Sequence, residues 1–226
     1  MIFIFNVLHN DYSLLVADRE GSVAGPVTIT IGNITINAAQ GAKIEGIRKL
    51  KISKCGTVAV GIAGSIMDHE YFNAFDNTNG VDESIRSILR SIEDFFLSPD
   101  RKKNLSQLTQ MQNEGIATFF DAVASQYFSV LYLYTHVQAT FRWHHVSSSG
   151  AMLLHVGSGS DQFEKAVGLE EINRFIGSIN ITPTPDACID WIKDAYEKVS
   201  RVAEGVGKEP ELLVSTRSEP AFKALF

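Results

Sequence analysis

Cysteine is scarce in this chain: Cys55 and Cys188 are the only two in 226 residues and stand far apart. A disulfide framework is thereby excluded, the spacing does not suit a metal ligand set, and reduced intracellular thiols are the expected state. Long hydrophobic runs are also missing. The longest, such as Phe128 to Leu133, fall far short of the about 20 apolar residues a spanning helix needs, so no membrane segment is expected. Basic charge is limited to 20 Lys and Arg against 26 Asp and Glu, a net charge of -6, and gathers nowhere beyond Arg101-Lys102-Lys103 and Arg48 to Lys54. That balance argues against nucleic acid as a partner. The apolar start Met1-Ile2-Phe3-Ile4-Phe5 has no basic flank and no small-residue cleavage site, so it reads as a first strand and not a signal peptide. His144 and His145, the only adjacent histidines, point to opposite faces of a strand and cannot both reach one metal ion. The expectation is a cytoplasmic protein with no membrane segment, no cofactor and no metal.

What is present is ordinary globular composition, 45% hydrophobic and 20% charged, enough for a core within one domain spanning 1–226. Ile2 to Leu8 and Tyr12 to Ala17, joined by the turn-forming His9-Asn10-Asp11, predict a β-hairpin. Glu20 to Ala42 fits either a long loop or an extra hairpin, since Val27 to Ile36 alternates apolar and polar residues. Ile47 to Ser53 and Thr57 to Ile62 predict a second pair turned at Cys55-Gly56. Ile85, Ile88, Leu89, Ile92, Phe95 and Phe96 make a helical stripe across Val81 to Leu97, with Phe95 and Phe96 pointing about 100° apart. Gly115 to Phe120, Phe128 to Thr135, Gln138 to His145 and Ala151 to Val156 predict a second antiparallel set. Asp161 to Ile176 and Pro185 to Ala203 predict two helices, and Glu211 to Thr216 a closing strand. Strands, helices, strands, helices, strand is not the alternation of a doubly wound fold; two sheets between helix layers satisfy it.

Three fragments stand in order along these elements. Val16-Ala17-Asp18-Arg19 follows the first hairpin, Gly61-Ile62-Ala63-Gly64-Ser65 with Asp68 follows the second, and Gly157-Ser158-Gly159-Ser160 precedes the late helices. The set resembles the landmarks of proteasome β-subunits and the related bacterial HslV peptidase. That resemblance implies an α+β chain with the Ntn-hydrolase fold, a four-layer αββα sandwich of two antiparallel sheets between helix layers. In the family a Thr at the start of the first strand is the nucleophile, and its own amine helps move the proton. Counting back from Asp18, that position falls at Ile2, a hydrocarbon, and Met1 is no better. A cut before Ser13 would expose a hydroxyl only by deleting the first strand. Asp18 matches the family's acidic residue, Gly64 the backbone N–H donor to the oxyanion, and Ser158 and Ser160 the turn whose hydroxyl supports the terminal amine. The family's Lys falls nearest Arg48 or Lys49. Ala203-Glu204-Gly205-Val206-Gly207 offers Ala or Val where the family has a late Asp.

Each fragment also has a structural reading. Asp18-Arg19 suits a surface ion pair, Gly61 and Gly64 close packing, and Ser160 or Asp161 a helix cap. No catalytic residue is assigned, and Asp18, Gly64, Ser158 and Ser160 are kept as remnants of a site. The resemblance with no nucleophile implies a catalytically inactive proteasome-like subunit that assembles into a ring or higher oligomer. A separate catalytic subunit or an ATPase unfoldase would be its further partner. The alternatives are an active peptidase or amidohydrolase of the same superfamily with an atypical site, and a binding module that uses the remnant cleft.

Overall fold

β-Branched and aromatic residues dominate the first and middle parts of the chain, and they form strands. A computed structural model describes residues 3–22, 27–31, 34–38, 43–45, 47–63, 113–134, 139–147, 150–181 and 184–225. The first hairpin is β1 (Ile4–His9) with β2 (Tyr12–Asp18), turned at Asn10-Asp11. In the 20–42 stretch the chain makes β3 (Glu20–Ser22) and the hairpin of β4 (Val27–Ile31) and β5 (Ile34–Ala38), after which β6 (Lys43–Glu45) pairs with β3. An extra hairpin, and not a long loop, occupies it. Next come β7 (Leu50–Ile52), β8 (Val58–Ala63), β9 (Asn113–Asp121), β10 (Gln126–Tyr134), β11 (Ala139–His145) and β12 (Ala151–Val156). Three helices follow, α1 (Ser160–Val167), α2 (Leu169–Ile181) and α3 (Asp186–Val202), then β13 (Pro210–Thr216) and β14 (Glu219–Ala224).

The strands build two five-stranded antiparallel sheets, ordered β12-β1-β2-β13-β14 and β11-β10-β9-β8-β7. The sequence grouped Ala151 to Val156 with the preceding three strands. Instead β12 crosses to the first sheet and pairs with β1, Ile4 opposite Val156, because Leu154 and Val156 supply apolar area between the sheets. Asp161 to Ile176 was expected as one helix; Gly168, at φ +90, breaks it into α1 and α2, a conformation that side chains with a Cβ resist. β14 was not foreseen, since its sequence Glu-Pro-Ala-Phe-Lys-Ala buries only Phe222 and carries little apolar signal.

β1 is buried along its whole length because its two faces meet different partners. Phe3, Phe5 and Val7 join Phe163, Ile192, Tyr196 and Val199 under the helices, while Ile4 joins Leu15, Ala59, Ile116 and Leu213 between the sheets. On α3 the stripe of Cys188, Ile192, Ala195, Tyr196 and Val199 faces that first sheet.

The described chain therefore corrects the expected four-layer αββα Ntn-hydrolase sandwich. Strand makes up 48% of the structure, and the three described helices, all between 160 and 202, pack on the first sheet as a single layer. The helix expected over Val81 to Leu97, with Phe95 and Phe96, lies outside the described residues, as do Met1, Ile2, Gly64, Ser65 and Asp68.

A polar ring is set among the apolar side chains between the sheets. Asn6 Nδ2 donates to Ser13 Oγ and to the Leu14 carbonyl, both at 2.8 Å, and Ser13 Oγ lies 2.8 Å from Thr118 Oγ1 of the facing sheet. Ser129 Oγ closes the ring, donating to Asn6 Oδ1 at 2.5 Å and standing 3.0 Å from Thr118 Oγ1. All four residues are sealed from water, so each bond replaces one to solvent and pins the register of one sheet on the other. Ser129→Ala removes the donor to a buried Asn6 oxygen and is expected to cost about 1–3 kcal/mol by urea denaturation. Thr140→Ala, at an exposed position of the neighbouring strand, is the control and should cost almost nothing.

Candidate functional site

Asp18 ends β2 and is fully buried. A carboxylate there needs donors, and the chain brings four to it. Oδ1 accepts the Phe3 backbone N–H at 3.0 Å. Oδ2 accepts the Glu20 and Gly207 N–H groups, each at 3.2 Å, and the Lys49 ammonium at 2.7 Å. Lys49, 3% exposed, lies just before β7 and donates also to the Glu20 carbonyl. Burial pushes the Lys49 ammonium below the ordinary lysine range, against the opposing pull of the Asp18 charge and hydrogen bond.

The start of the first strand is held from its other side too. Tyr196, wholly inside α3's buried stripe, donates its hydroxyl to the Phe3 carbonyl at 3.0 Å. Burial raises its pKa well above the usual phenol value, with the Asp18 charge adding, so the group stays a donor. Above Phe3 runs the turn into α1, where a Cβ added at Gly159 would come within 2.7 Å of Phe3 Cβ and 3.2 Å of Val206 Cγ2. Glu114, at the start of β9, accepts the Gly157 N–H at 3.0 Å and so ties this turn to the second sheet.

Asp18 is therefore not the surface partner of Arg19; Arg19 is exposed, and the carboxylate faces inward to Lys49. Of the two basic residues that fell nearest the family's Lys, the fold takes Lys49 inside and leaves Arg48 exposed. Ser158 is exposed on the turn, and Ser160 opens α1 without capping it. The cap position is Gly159, and the Ser160 hydroxyl turns to His155 Nδ1 at 2.8 Å. Ala203 and Val206 lie in the core under the helices, where they add hydrocarbon and no catalytic group. Ile2 and Gly64 lie outside the described residues. Gly207, Glu114, His155 and Tyr196 were missed by the sequence. A visible signal existed for His155, a titratable residue inside the apolar run Ala-Met-Leu-Leu-His-Val, and for Glu114 at the head of an apolar strand. Gly207 acts through its backbone, which residue type does not reveal.

No family model and no curated protein matches the sequence. Chemically, the Asp18 carboxylate is occupied by four N–H donors on its two oxygens, an arrangement that holds backbone in place and leaves no oxygen turned toward a substrate. Among the described residues no three His, Cys, Asp or Glu side chains converge as a metal ion would require, and no helix is long and apolar enough to cross a membrane. Because Gly159 touches the strand start, Gly159→Ala is expected to push the turn off Phe3. A loss of about 1–3 kcal/mol and faster amide exchange at Phe3 should follow in urea denaturation and hydrogen-exchange measurements.

Proposed function

We propose that the protein is a subunit of the proteasome-like type that lacks the family's N-terminal peptidase activity, acting by association with copies of itself and with a related catalytic subunit. The observation that carries this reading is the sealed Asp18–Lys49 pair at the start of the first strand, combined with Ile2 at the position that should present the attacking group. An Asp and a Lys in that place support a nucleophile only if a hydroxyl or thiol is there to be activated. A hydrocarbon leaves the pair with one task, to hold the strand. The reading rests on this site and not on a four-layer architecture.

Ala203 and Val206 support it further, because hydrocarbon fills the late positions where the family carries a second polar support. The two cysteines are free thiols, which favours the reducing cytoplasm as the compartment. With peptide cleavage set aside, the assembly of subunits is the family role that does not require a nucleophile.

The purified protein is expected to leave fluorogenic peptides intact and to form no epoxyketone or boronate adduct at residue 1 or 2 in intact-mass analysis with peptide mapping. Stoichiometric labelling at residue 1 or 2 would overturn that part. Light scattering at micromolar concentration should report a mass of several subunits, and a monomer would sink the association reading.

A further inference from the structure

Ser160 and His155 make a contact that the ion pair does not use. His155 stands on β12, and its ring is set against Phe163 with centroids 5.3 Å apart. Its Nε2 faces Glu164 Oε1 at 4.0 Å, and its Nδ1 faces Ser160 Oγ at 2.8 Å. A carboxylate beside Nε2 favours the tautomer with the proton on Nε2, since N–H toward negative charge is attractive and a lone pair toward it is not. The Nδ1 lone pair is then left toward Ser160, whose hydroxyl donates. That polarity is the one in which an imidazole draws a proton from a nucleophile. Burial lowers the His155 pKa while Glu164 and Asp161 pull it up, and the net shift is downward, which keeps the ring in its basic form near neutrality. The cap position is taken by Gly159, so Ser160 stands one residue inside the helix and its hydroxyl is directed to the imidazole.

We propose that Ser160 is a nucleophile activated by His155 and that the pair hydrolyses small carboxylic esters of neutral or positive charge. Ser160 Oγ bonds to the ester carbonyl carbon as its proton passes to His155 Nδ1. Collapse of the tetrahedral adduct breaks the ester C–O bond, and the same proton leaves on the alcohol. Water then attacks the acyl-Ser160 carbonyl, giving its proton through Nδ1 to Ser160 Oγ and releasing the acid. One ester and one water become one alcohol and one acid. The charge preference follows from Asp161 in the first turn of α1 and Glu164 one turn on, which repel an anionic substrate at this corner. This site goes beyond the association reading and stands or falls separately from it.

The test is a fluorophosphonate probe on the full chain, read by intact mass and by peptide mapping, together with p-nitrophenyl acetate hydrolysis. One adduct per chain is expected, located on Ser160, with fluoride displaced from phosphorus by Oγ. His155→Gln, with an unchanged circular dichroism spectrum, should slow labelling and ester hydrolysis about a hundredfold. Ser158→Ala, two residues away, should label as wild type does. Mapping on the wild-type chain needs no variant, so a misfolded substitution does not blunt the test. Absence of an adduct, an adduct on Ser158 or elsewhere, or unchanged labelling of a folded His155→Gln would each overturn the assignment.

Discussion

An ammonium and a carboxylate held 2.7 Å apart, with 3% and 0% of their side chains exposed, set the terms for the rest of this structure. Taking both charges out of water costs several kcal/mol each, and their attraction offsets that only when every remaining lone pair and proton finds a partner. Asp18 finds them in backbone N–H groups from residues 3, 20 and 207, far apart in sequence. The pair therefore gathers the start of the first strand, the entry to β3, the approach to β7 and the turn after α3 at one point. A chain that let any of these drift would leave a buried charge partly unpaired, a larger loss than most single contacts supply.

Three further polar devices extend that constraint through the molecule. The ring of Asn6, Ser13, Thr118 and Ser129 locks the sheets face to face in mid-layer, and Tyr127 reaches from the second sheet to Ser215 on the first at 2.7 Å. Apolar packing alone would tolerate sliding between the sheets, whereas directional bonds between buried groups do not. At the helix side, Tyr196 fixes the Phe3 carbonyl while Phe5 and Phe163 fill the space beneath the helices. A rigid corner results, and Ser160 and His155 stand on its rim.

Much of the strand pattern was legible. The hairpin turned after His9 and the pair β7 and β8 carry a simple signal, apolar runs of strand length bounded by turn residues. Which sheet a strand joins was not legible: β12 looks like its predecessors in composition and yet pairs with β1, because that choice depends on the area left between the sheets. The helical stripes of 160–202 were visible, but the break at Gly168 depends on a backbone conformation and not on periodicity. The resemblance overreached in asking for four layers. At the site, Asp18 was found by its place after the hairpin, and Lys49 only as one of two candidates, since the loose 43–52 stretch carries no period that says which side chain turns inward. Backbone donors such as Gly207 leave no mark in residue type at all.

Asp18 and Lys49 stabilise the fold as a pair, and a double-mutant cycle measures that coupling. Asp18→Asn, Lys49→Met and the double variant are compared with wild type by urea denaturation at neutral pH. Each single change should cost about 3–5 kcal/mol, because it leaves a charge buried without its partner. The double variant should cost less than the sum by at least about 2 kcal/mol, the size expected of directly bonded partners. Costs that add to within about 0.5 kcal/mol would show two independent side chains and contradict the account.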